Sequence, residues 1–316
     1  DYIGERRATS QPRASKKSMV VLVTGANGQL GQSLRFIEGN HPDIKFVFCS
    51  SSDLDITNLN NIKQVFEQFK PNYCINAAAY TAVDKAESEP EKAHLINVDG
   101  AKNLAEVCKQ TNCILLHIST DFVFDGTKKT PYTEEDQPNP TRVYGQTKLD
   151  GEKAIQAIFD NYYIIRTSWV YSQFGNNFMK TMLRLASERD ALSVVNDQVG
   201  TPTHAVDLAE CLVTIIGQNE RVILSADEGQ QPTTHNFGIY NFSNEGQCSW
   251  YDFAKEIFRV NNISINLQPI PTTSYPTPAQ RPSYSVLDKS KIKSVFGVKI
   301  EQWKESLVKT ISNEFI

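Results

Sequence analysis

The chain has 316 residues, of which 40% are hydrophobic and 22% are charged, a composition typical of a globular protein with one large or two modest domains. Its formal net charge of −4 excludes the cationic character of most proteins that bind nucleic acid or anionic lipid. No apolar run approaches the roughly 18 residues that span a bilayer, so we expect no nucleic-acid and no membrane partner.

The first 18 residues and the cysteines bear on where the protein works. Residues 1–18 are polar and lack the apolar core of a secretory signal, so we interpret them as a disordered tail or a remnant of expression. The six cysteines form no CxxC pairs, and most lie in apolar stretches. This pattern favours buried, reduced thiols in a cytoplasmic protein over disulfides or structural zinc.

From residue 20, short β-branched apolar runs alternate with longer amphipathic stretches, the pattern of β-α-β units. The predicted strands cover residues 20–24, 45–49, 73–76, 114–119 and 163–167, and the predicted helices cover 29–39, 59–69, 91–112 and 144–159. Right-handed crossovers between such units predict an α/β fold with a Rossmann-like, doubly wound parallel sheet.

After residue 169 the alternation weakens, and Gly, Asn and Pro become frequent. A strand at 192–195 and a helix at 207–216 are predicted to return to the sheet, followed by an irregular segment at 217–237. Helices are predicted at 250–260, 288–296 and 302–311, with an extended Pro-rich segment at 269–282. We therefore predict a Rossmann domain of residues 19–171 and about 190–217, and a smaller α+β lobe of residues 172–189 and about 218–316.

A glycine-rich turn joins the first predicted strand to the first predicted helix. Glycines there let the backbone turn tightly and approach a pyrophosphate, which the N–H groups of a helix N-terminus can bind. The GxxGxxG spacing resembles that of short-chain dehydrogenases and predicts a dinucleotide site. Its predicted contacts are Gly25, Asn27, Gly28, Gln29, Leu30 and Gly31.

The residues after the second and third predicted strands indicate which dinucleotide binds. The second predicted strand is followed by Ser50 rather than by the acid that binds the adenosine ribose and repels a 2′-phosphate. The first acid is Asp53, and no Arg stands beside it in the sequence. We predict that NADPH and NADH both work, with NADPH slightly favoured. The small side chains of Ala77, Ala78 and Ala79 leave room for the cofactor.

Tyr144 and Lys148 are one helical turn apart, so both side chains project from one face of a helix. An ammonium beside a phenol favours phenolate and lowers the phenol pKa, which suits the proton donor of a carbonyl reductase. Tyr251 and Lys255 have the same spacing but lie outside the predicted Rossmann domain. Thr120, at the carboxyl end of the fourth strand, is predicted to donate to the substrate carbonyl, with a strand-end cap as the alternative.

Several motifs follow one another along the chain: NAAAYTAVDKAE at 76–87, STDFVF at 119–124, YGQTK at 144–148, RTSWVY at 166–171, NNF at 176–178, NDQVGTPT at 196–203 and YPTPAQRP at 275–282. In sequence and in order they resemble the motifs of the dTDP-4-dehydrorhamnose reductase family of extended short-chain dehydrogenases. The resemblance implies a second lobe that binds a sugar nucleotide. It also implies NAD(P)H-dependent reduction of a dTDP-linked 4-keto-6-deoxysugar, dTDP-4-dehydro-L-rhamnose, to dTDP-L-rhamnose.

The same resemblance implies roles for individual residues. Tyr144 would supply the proton, Lys148 would also bind the nicotinamide ribose, and Thr120 would polarise the carbonyl. Further cofactor contacts would be Ser50, Asp55, Ile56, Tyr80 and Asn97. Further substrate contacts would be Val83, Asp121, Trp169, Asn177, Gln198 and Arg281, with the Arg281 guanidinium on the diphosphate.

The chain departs from the family pattern in two places. Some relatives carry carboxylates that share a magnesium ion across a dimer, but the matching positions here are Ser33 and Val206. We therefore predict no metal, and a monomer or weak homodimer. Residues 223–235 match no part of the pattern.

Two other functions fit the same motifs. Another nucleotide-sugar reductase or epimerase would keep Tyr144 and Lys148 but bind a different base or sugar. A non-catalytic NADP-binding subunit, resembling the β subunit of methionine adenosyltransferase, would bind the cofactor without turnover.

Overall fold

The structure is a computed structural model that describes residues 18–229 and 235–312. Its strands are β1 (Met19–Thr24), β2 (Ile44–Phe48), β3 (Tyr73–Asn76), β4 (Ile114–Thr120), β5 (Tyr162–Thr167), β6 (Val170–Tyr171), β7 (Ala191–Val195), β8 (Val199–Gly200), β9 (Thr203–His204), β10 (Gly238–Asn241), β11 (Cys248–Ser249) and β12 (Asn266–Ile270). Its helices are α1 (Gln29–Ile37), α2 (Leu59–Phe69), α3 (Val83–Ala86), α4 (Pro90–His94), α5 (Ala101–Thr111), α6 (Val143–Ile158), α7 (Phe178–Glu188), α8 (Ala205–Asp227), α9 (Trp250–Val260), α10 (Ser290–Phe296) and α11 (Trp303–Ser312). Across this part of the chain, no helix is long and apolar enough to cross a membrane.

The central sheet is parallel, with strand order β2-β1-β3-β4-β5-β10. Helices α1, α8 and α10 pack on one face, and α2, α5 and α6 pack on the other. This arrangement confirms the predicted Rossmann-like α/β fold. The strand order reverses between β1 and β3, and ligands of such folds bind at the carboxyl edge of the sheet beside that reversal.

Residues 217–237 differ from the predicted irregular segment, because α8 continues to Asp227 and residues 238–241 form the edge strand β10. Two polar residues of α8 are anchored on the sheet. Asn219 accepts a hydrogen bond from the Tyr163 hydroxyl at 3.0 Å, and Glu220 accepts one from the Tyr73 hydroxyl at 2.7 Å. The polar side chains that led to the prediction of a loop therefore anchor a helix on the sheet. Residues 230–234 of this segment lie outside the described part.

The second lobe has its own core, built from α7, α9, α11 and the two-stranded parallel sheet of β7 and β12. Tyr171, Phe253 and Leu307 are fully buried in it. Residues 192–195 were predicted to return to the central sheet, but they lie in β7 and pair with β12 instead. Conversely, β10 belongs to the central sheet although the predicted lobe included its residues.

The predicted helix at 91–112 is interrupted by a π-helical segment, Leu95–Gly100, between α4 and α5. Inside it, the buried Asn97 accepts from the backbone N–H of Tyr80 at 2.9 Å and donates to its carbonyl at 3.1 Å. Such π turns are frequent at functional sites. Here the wider turn brings a polar side chain to the loop after β3.

Candidate active site

The glycine-rich turn after β1 touches the alanine loop after β3. Gly25 has a φ of +59°, and a Cβ there would lie 2.7 Å from the backbone nitrogen of Ala78. No side chain caps the N-terminus of α1 at Gly28, so its first N–H groups are available to an anion. These features fit the pyrophosphate of a dinucleotide lying between the ends of β1 and β3.

At the end of β2, Asp53 folds back onto Ser50. Its carboxylate accepts from the Ser50 backbone N–H at 2.9 Å and hydroxyl at 3.0 Å, and these hydrogen bonds lower the pKa of Asp53. Arg35 of α1 contributes to that lowering, and its guanidinium lies 4.5 Å from the centroid of the Phe48 ring. No Arg stands beside Asp53 in the sequence, but the fold brings Arg35 of α1 near its carboxylate. The prediction that no Arg is placed to attract a 2′-phosphate is therefore wrong.

Tyr144 and Lys148 of α6 converge with Thr120 at the carboxyl end of β4. The Lys148 ammonium is buried and donates to the carbonyl of Ile118 at 2.7 Å. The Tyr144 ring packs edge-on against Phe122, with centroids 5.5 Å apart. The Thr120 hydroxyl accepts from the backbone N–H of Phe122 at 3.2 Å, so the strand-end cap exists beside any role in catalysis.

Burial sets the ionisation of this cluster. It lowers the pKa of Lys148 to about 8, against the opposing effect of Glu152. It raises the pKa of Tyr144 to about 12, although the nearby Thr120 hydroxyl acts in the other direction. This is opposite to the expected lowering of the phenol pKa, because loss of solvation outweighs the other effects. Burial also raises the pKa of Asp121 to about 7.

A buried ion pair lies one helical turn beyond Lys148. Glu152 accepts from Arg166 of β5 at 2.7 and 3.1 Å and from the Ser119 hydroxyl at 2.5 Å. Both charged side chains are at most 2% exposed. The pair ties α6 to β4 and β5 beneath the Tyr144–Lys148 face. The sequence indicated the RTSWVY motif at 166–171, but it did not predict Glu152 as the partner of Arg166.

Arg281 lies against the Rossmann domain, where both of its terminal nitrogens bind the Asp84 carboxylate. Its Nη1 also donates to the carbonyl of Ala279 at 2.7 Å. Within the described ranges, its Nε has no acceptor. The guanidinium thus binds Asp84 through its two terminal nitrogens. Its other edge, formed by Nε and Nη2, can still bind two phosphate oxygens. Val83 begins α3 beside this pair.

Two of the predicted substrate contacts have side chains that are occupied within the protein. The Asn177 amide caps α7 and donates to the Ser172 carbonyl at 2.7 Å and to Gln29 at 3.2 Å. The Gln198 amide accepts from the Trp250 indole and donates to the Thr272 hydroxyl, both at 3.2 Å.

Three of the predicted cofactor contacts are likewise engaged. Leu30 and Ile56 are buried in the two cores of the central sheet. The Asp55 carboxylate accepts from the backbone N–H and hydroxyl of Thr57. For Leu30 and Ile56, the backbone is the part that remains for a ligand.

This fold, with a Tyr-x-x-x-Lys pair at the carboxyl edge of the sheet and a glycine-rich turn beside it, defines an extended short-chain dehydrogenase/reductase. The family model described as RmlD substrate binding domain matches residues 19–315. A dTDP-4-dehydrorhamnose reductase of Aggregatibacter actinomycetemcomitans is 42% identical over 91% of this chain and 96% of its own. The chain belongs to the dTDP-4-dehydrorhamnose reductase family.

Two solved structures share the whole architecture. A dTDP-4-dehydrorhamnose reductase of Clostridium acetobutylicum is 43% identical, with a TM-score of 0.83 over 94% of this chain and 100% of that one. A dTDP-4-dehydrorhamnose reductase of Bacillus anthracis, in complex with NADP, is 37% identical, with a TM-score of 0.86 over 94% and 99% of the two chains. The similarity therefore extends over both lobes.

Proposed function

We propose that the chain catalyses the NADPH-dependent reduction of dTDP-4-dehydro-L-rhamnose to dTDP-L-rhamnose. The observation that carries this proposal is the convergence of Tyr144, Lys148 and Thr120 at the end of β4, in a chain 42% identical to a reductase of that name. The alternative of a non-catalytic binding subunit does not require a phenol and a buried ammonium on one face of α6 at the end of β4.

NADPH is the cofactor that the residues fit best, and when bound its nicotinamide supplies the hydride. The uncapped N-terminus of α1 would hold the pyrophosphate. Arg35 and Ser50 would bind the 2′-phosphate at the end of β2, where the Asp53 carboxylate is already occupied by Ser50. The relative from Bacillus anthracis is in complex with NADP. NADH would remain usable, because the Asp53 carboxylate beside Ser50 could still accept from the ribose hydroxyls.

The chain's own residues would handle the proton. The Thr120 hydroxyl would donate a hydrogen bond to the C4 carbonyl oxygen, and Tyr144 would transfer its proton to that oxygen as the alkoxide forms. A phenol with a pKa of about 12 is fully protonated at neutral pH, as a proton donor must be. Lys148, protonated below about 8, would stabilise the phenolate that remains.

The substrate would lie between residues of the Rossmann domain and residues of the second lobe. The free edge of Arg281 would bind the diphosphate, and Asp121 and Trp169 would flank the deoxysugar. The six cysteines, all buried free thiols, are consistent with a cytoplasmic enzyme. A monomer or a weak homodimer is the assembly that we propose.

The test is NADPH oxidation by the full chain on addition of enzymatically generated dTDP-4-dehydro-L-rhamnose, with NADH and the UDP-linked sugar in parallel. We expect oxidation with the dTDP sugar and a product that co-elutes with dTDP-L-rhamnose. Faster oxidation with the UDP sugar would indicate another nucleotide-sugar reductase. Tight NADPH binding without oxidation of any keto-sugar would indicate the binding subunit.

A further inference from the structure

Trp169 has a backbone conformation that bulky residues rarely adopt. Its φ of +48° lies in the left-handed region, which persists only where the surroundings enforce it. Two neighbours do so. Trp250 stacks on the Trp169 indole with centroids 3.6 Å apart and planes 12° from parallel. Gly200 approaches the same ring so closely that a Cβ there would lie 2.7 Å from Cε2 and Cζ2.

Trp250 is itself fixed. It is the first residue of α9, whose N-terminus carries a capping box formed by Ser249 and Asp252. Its indole N–H donates to Gln198 at 3.2 Å, and the Phe178 ring lies 4.8 Å from its own. The stacked pair therefore rests on a capped helix rather than on a free loop.

The pair is joined to the proposed catalytic cluster through Gly200. A Cβ at Gly200 would also lie 2.9 Å from the Ser285 hydroxyl, which is close enough to Asp121, the neighbour of Thr120, to lower the pKa of that carboxyl against the effect of burial. The indole N–H of Trp169 finds no acceptor among residues 18–229 and 235–312, and the side chain is partly exposed. The Trp169 ring is therefore held in place by Trp250 and Gly200, while its indole N–H remains available as a donor.

We propose that Trp250 is a positioning residue for the sugar substrate. By stacking on Trp169, it holds that indole as a rigid wall of the sugar pocket and keeps the indole N–H available to an oxygen of the keto-sugar. The inference rests on the proposed function, because it assumes that a deoxysugar nucleotide binds beside Asp121.

The stack has a spectroscopic signature that is independent of turnover. The sequence holds three tryptophans, and the third, Trp303, packs against Phe253 at 5.9 Å. Two indoles in face-to-face contact give an exciton couplet in the far-ultraviolet circular dichroism spectrum. We expect Trp250→Leu and Trp169→Phe to abolish this couplet, and Trp303→Phe, the matched control, to retain it.

The kinetic test compares the two substrates of the same enzyme. We expect Trp250→Leu to raise the KM for dTDP-4-dehydro-L-rhamnose about tenfold, the order of effect of one lost aromatic pair, and to leave the KM for NADPH unchanged. Trp250→Phe, which keeps an aromatic ring, should restore most of the sugar affinity. Gly200→Ala should reproduce the high KM with Trp250 still present, because its Cβ displaces the Trp169 ring.

A failure of the role of Trp250 can be distinguished from a failure of the proposed function. Oxidation of NADPH by the wild-type protein with an unchanged sugar KM in both Trp250→Leu and Gly200→Ala would overturn the inference alone. An equal rise of both KM values would also overturn it, since that result describes a general loss of structure. No oxidation by the wild-type protein would overturn the proposed function, and this inference with it.

Discussion

Arg35 and Phe48 meet at the end of β2, where the guanidinium of α1 lies 4.5 Å from the centroid of the aromatic ring. The contact places a cation near Asp53, although Arg35 belongs to α1 and Asp53 follows β2. A 2′-phosphate bound there would pair with the guanidinium, whereas the free hydroxyl of NADH would gain little from it. The relationship therefore bears directly on cofactor choice.

We expect Arg35→Gln to lower kcat/KM for NADPH roughly tenfold to a hundredfold, the value of one charge-assisted hydrogen bond, and to change kcat/KM for NADH little. Steady-state rates with both cofactors measure this. Lys45→Gln, which removes an exposed cation from β2, is the matched control. Equal losses with both cofactors would show that Arg35 supports the fold rather than the phosphate.

Tyr144→Phe should lower kcat by about 10² to 10⁴, the usual contribution of a positioned proton donor, with NADPH affinity nearly unchanged. Turnover and cofactor titration by fluorescence give the two quantities. Tyr251→Phe is the control, because Tyr251 and Lys255 repeat the spacing in α9 of the other lobe. Unaltered turnover in Tyr144→Phe would remove the phenol from the mechanism.

The elements of the central sheet could be predicted because their strands are buried on both faces and read as continuous apolar runs. The same reasoning missed β10, which is an edge strand and begins with a glycine, and the second half of α8, whose Asn219 and Glu220 are polar yet anchored on tyrosines of the sheet. Polarity predicts exposure only where no buried partner exists. That partner is a property of the fold.

At the site, the helical period placed Tyr144 and Lys148 on one face, because their relationship is local. The approach of Arg35 to Asp53 could not be predicted in this way, nor could the stack of Trp169 on Trp250, because each pair joins distant segments. The phenol pKa was predicted in the wrong direction, since a sequence carries no measure of burial. Local geometry was predictable, and tertiary electrostatics was not.

The buried Glu152–Arg166 pair should support the stability of the whole sheet. We expect Glu152→Ala to reduce the free energy of unfolding by about 3–5 kcal/mol, because it leaves the Arg166 charge buried without its partner. Denaturant unfolding measures the change. Glu188→Ala, which breaks an exposed pair with Arg184, should cost under about 1 kcal/mol. Similar losses for both variants would contradict the argument.

Asp84 should preorganise Arg281 rather than compete with the substrate. It binds the guanidinium end-on and leaves the edge of Nε and Nη2 free. We therefore expect Asp84→Asn to raise the KM for the sugar nucleotide roughly threefold to tenfold and to leave the KM for NADPH unchanged. Glu91→Gln, on the exposed surface of α4, is the control. A lower sugar-nucleotide KM in Asp84→Asn would show that the two residues compete.

Asp121 and Lys148 should give the reduction rate two alkaline losses, because burial raises the pKa of Asp121 to about 7 and lowers that of Lys148 to about 8. Ionised Asp121 raises the pKa of Tyr144 and makes it a weaker acid, so kcat falls as pH rises through about 7. Loss of the Lys148 proton then removes the cation that stabilises phenolate. In Asp121→Asn, the profile of kcat normalised to its own maximum should lack the loss near pH 7 and fall only through about pH 8, as Lys148 loses its proton. Superimposable normalised profiles for the variant and the wild type would assign the first loss to another group.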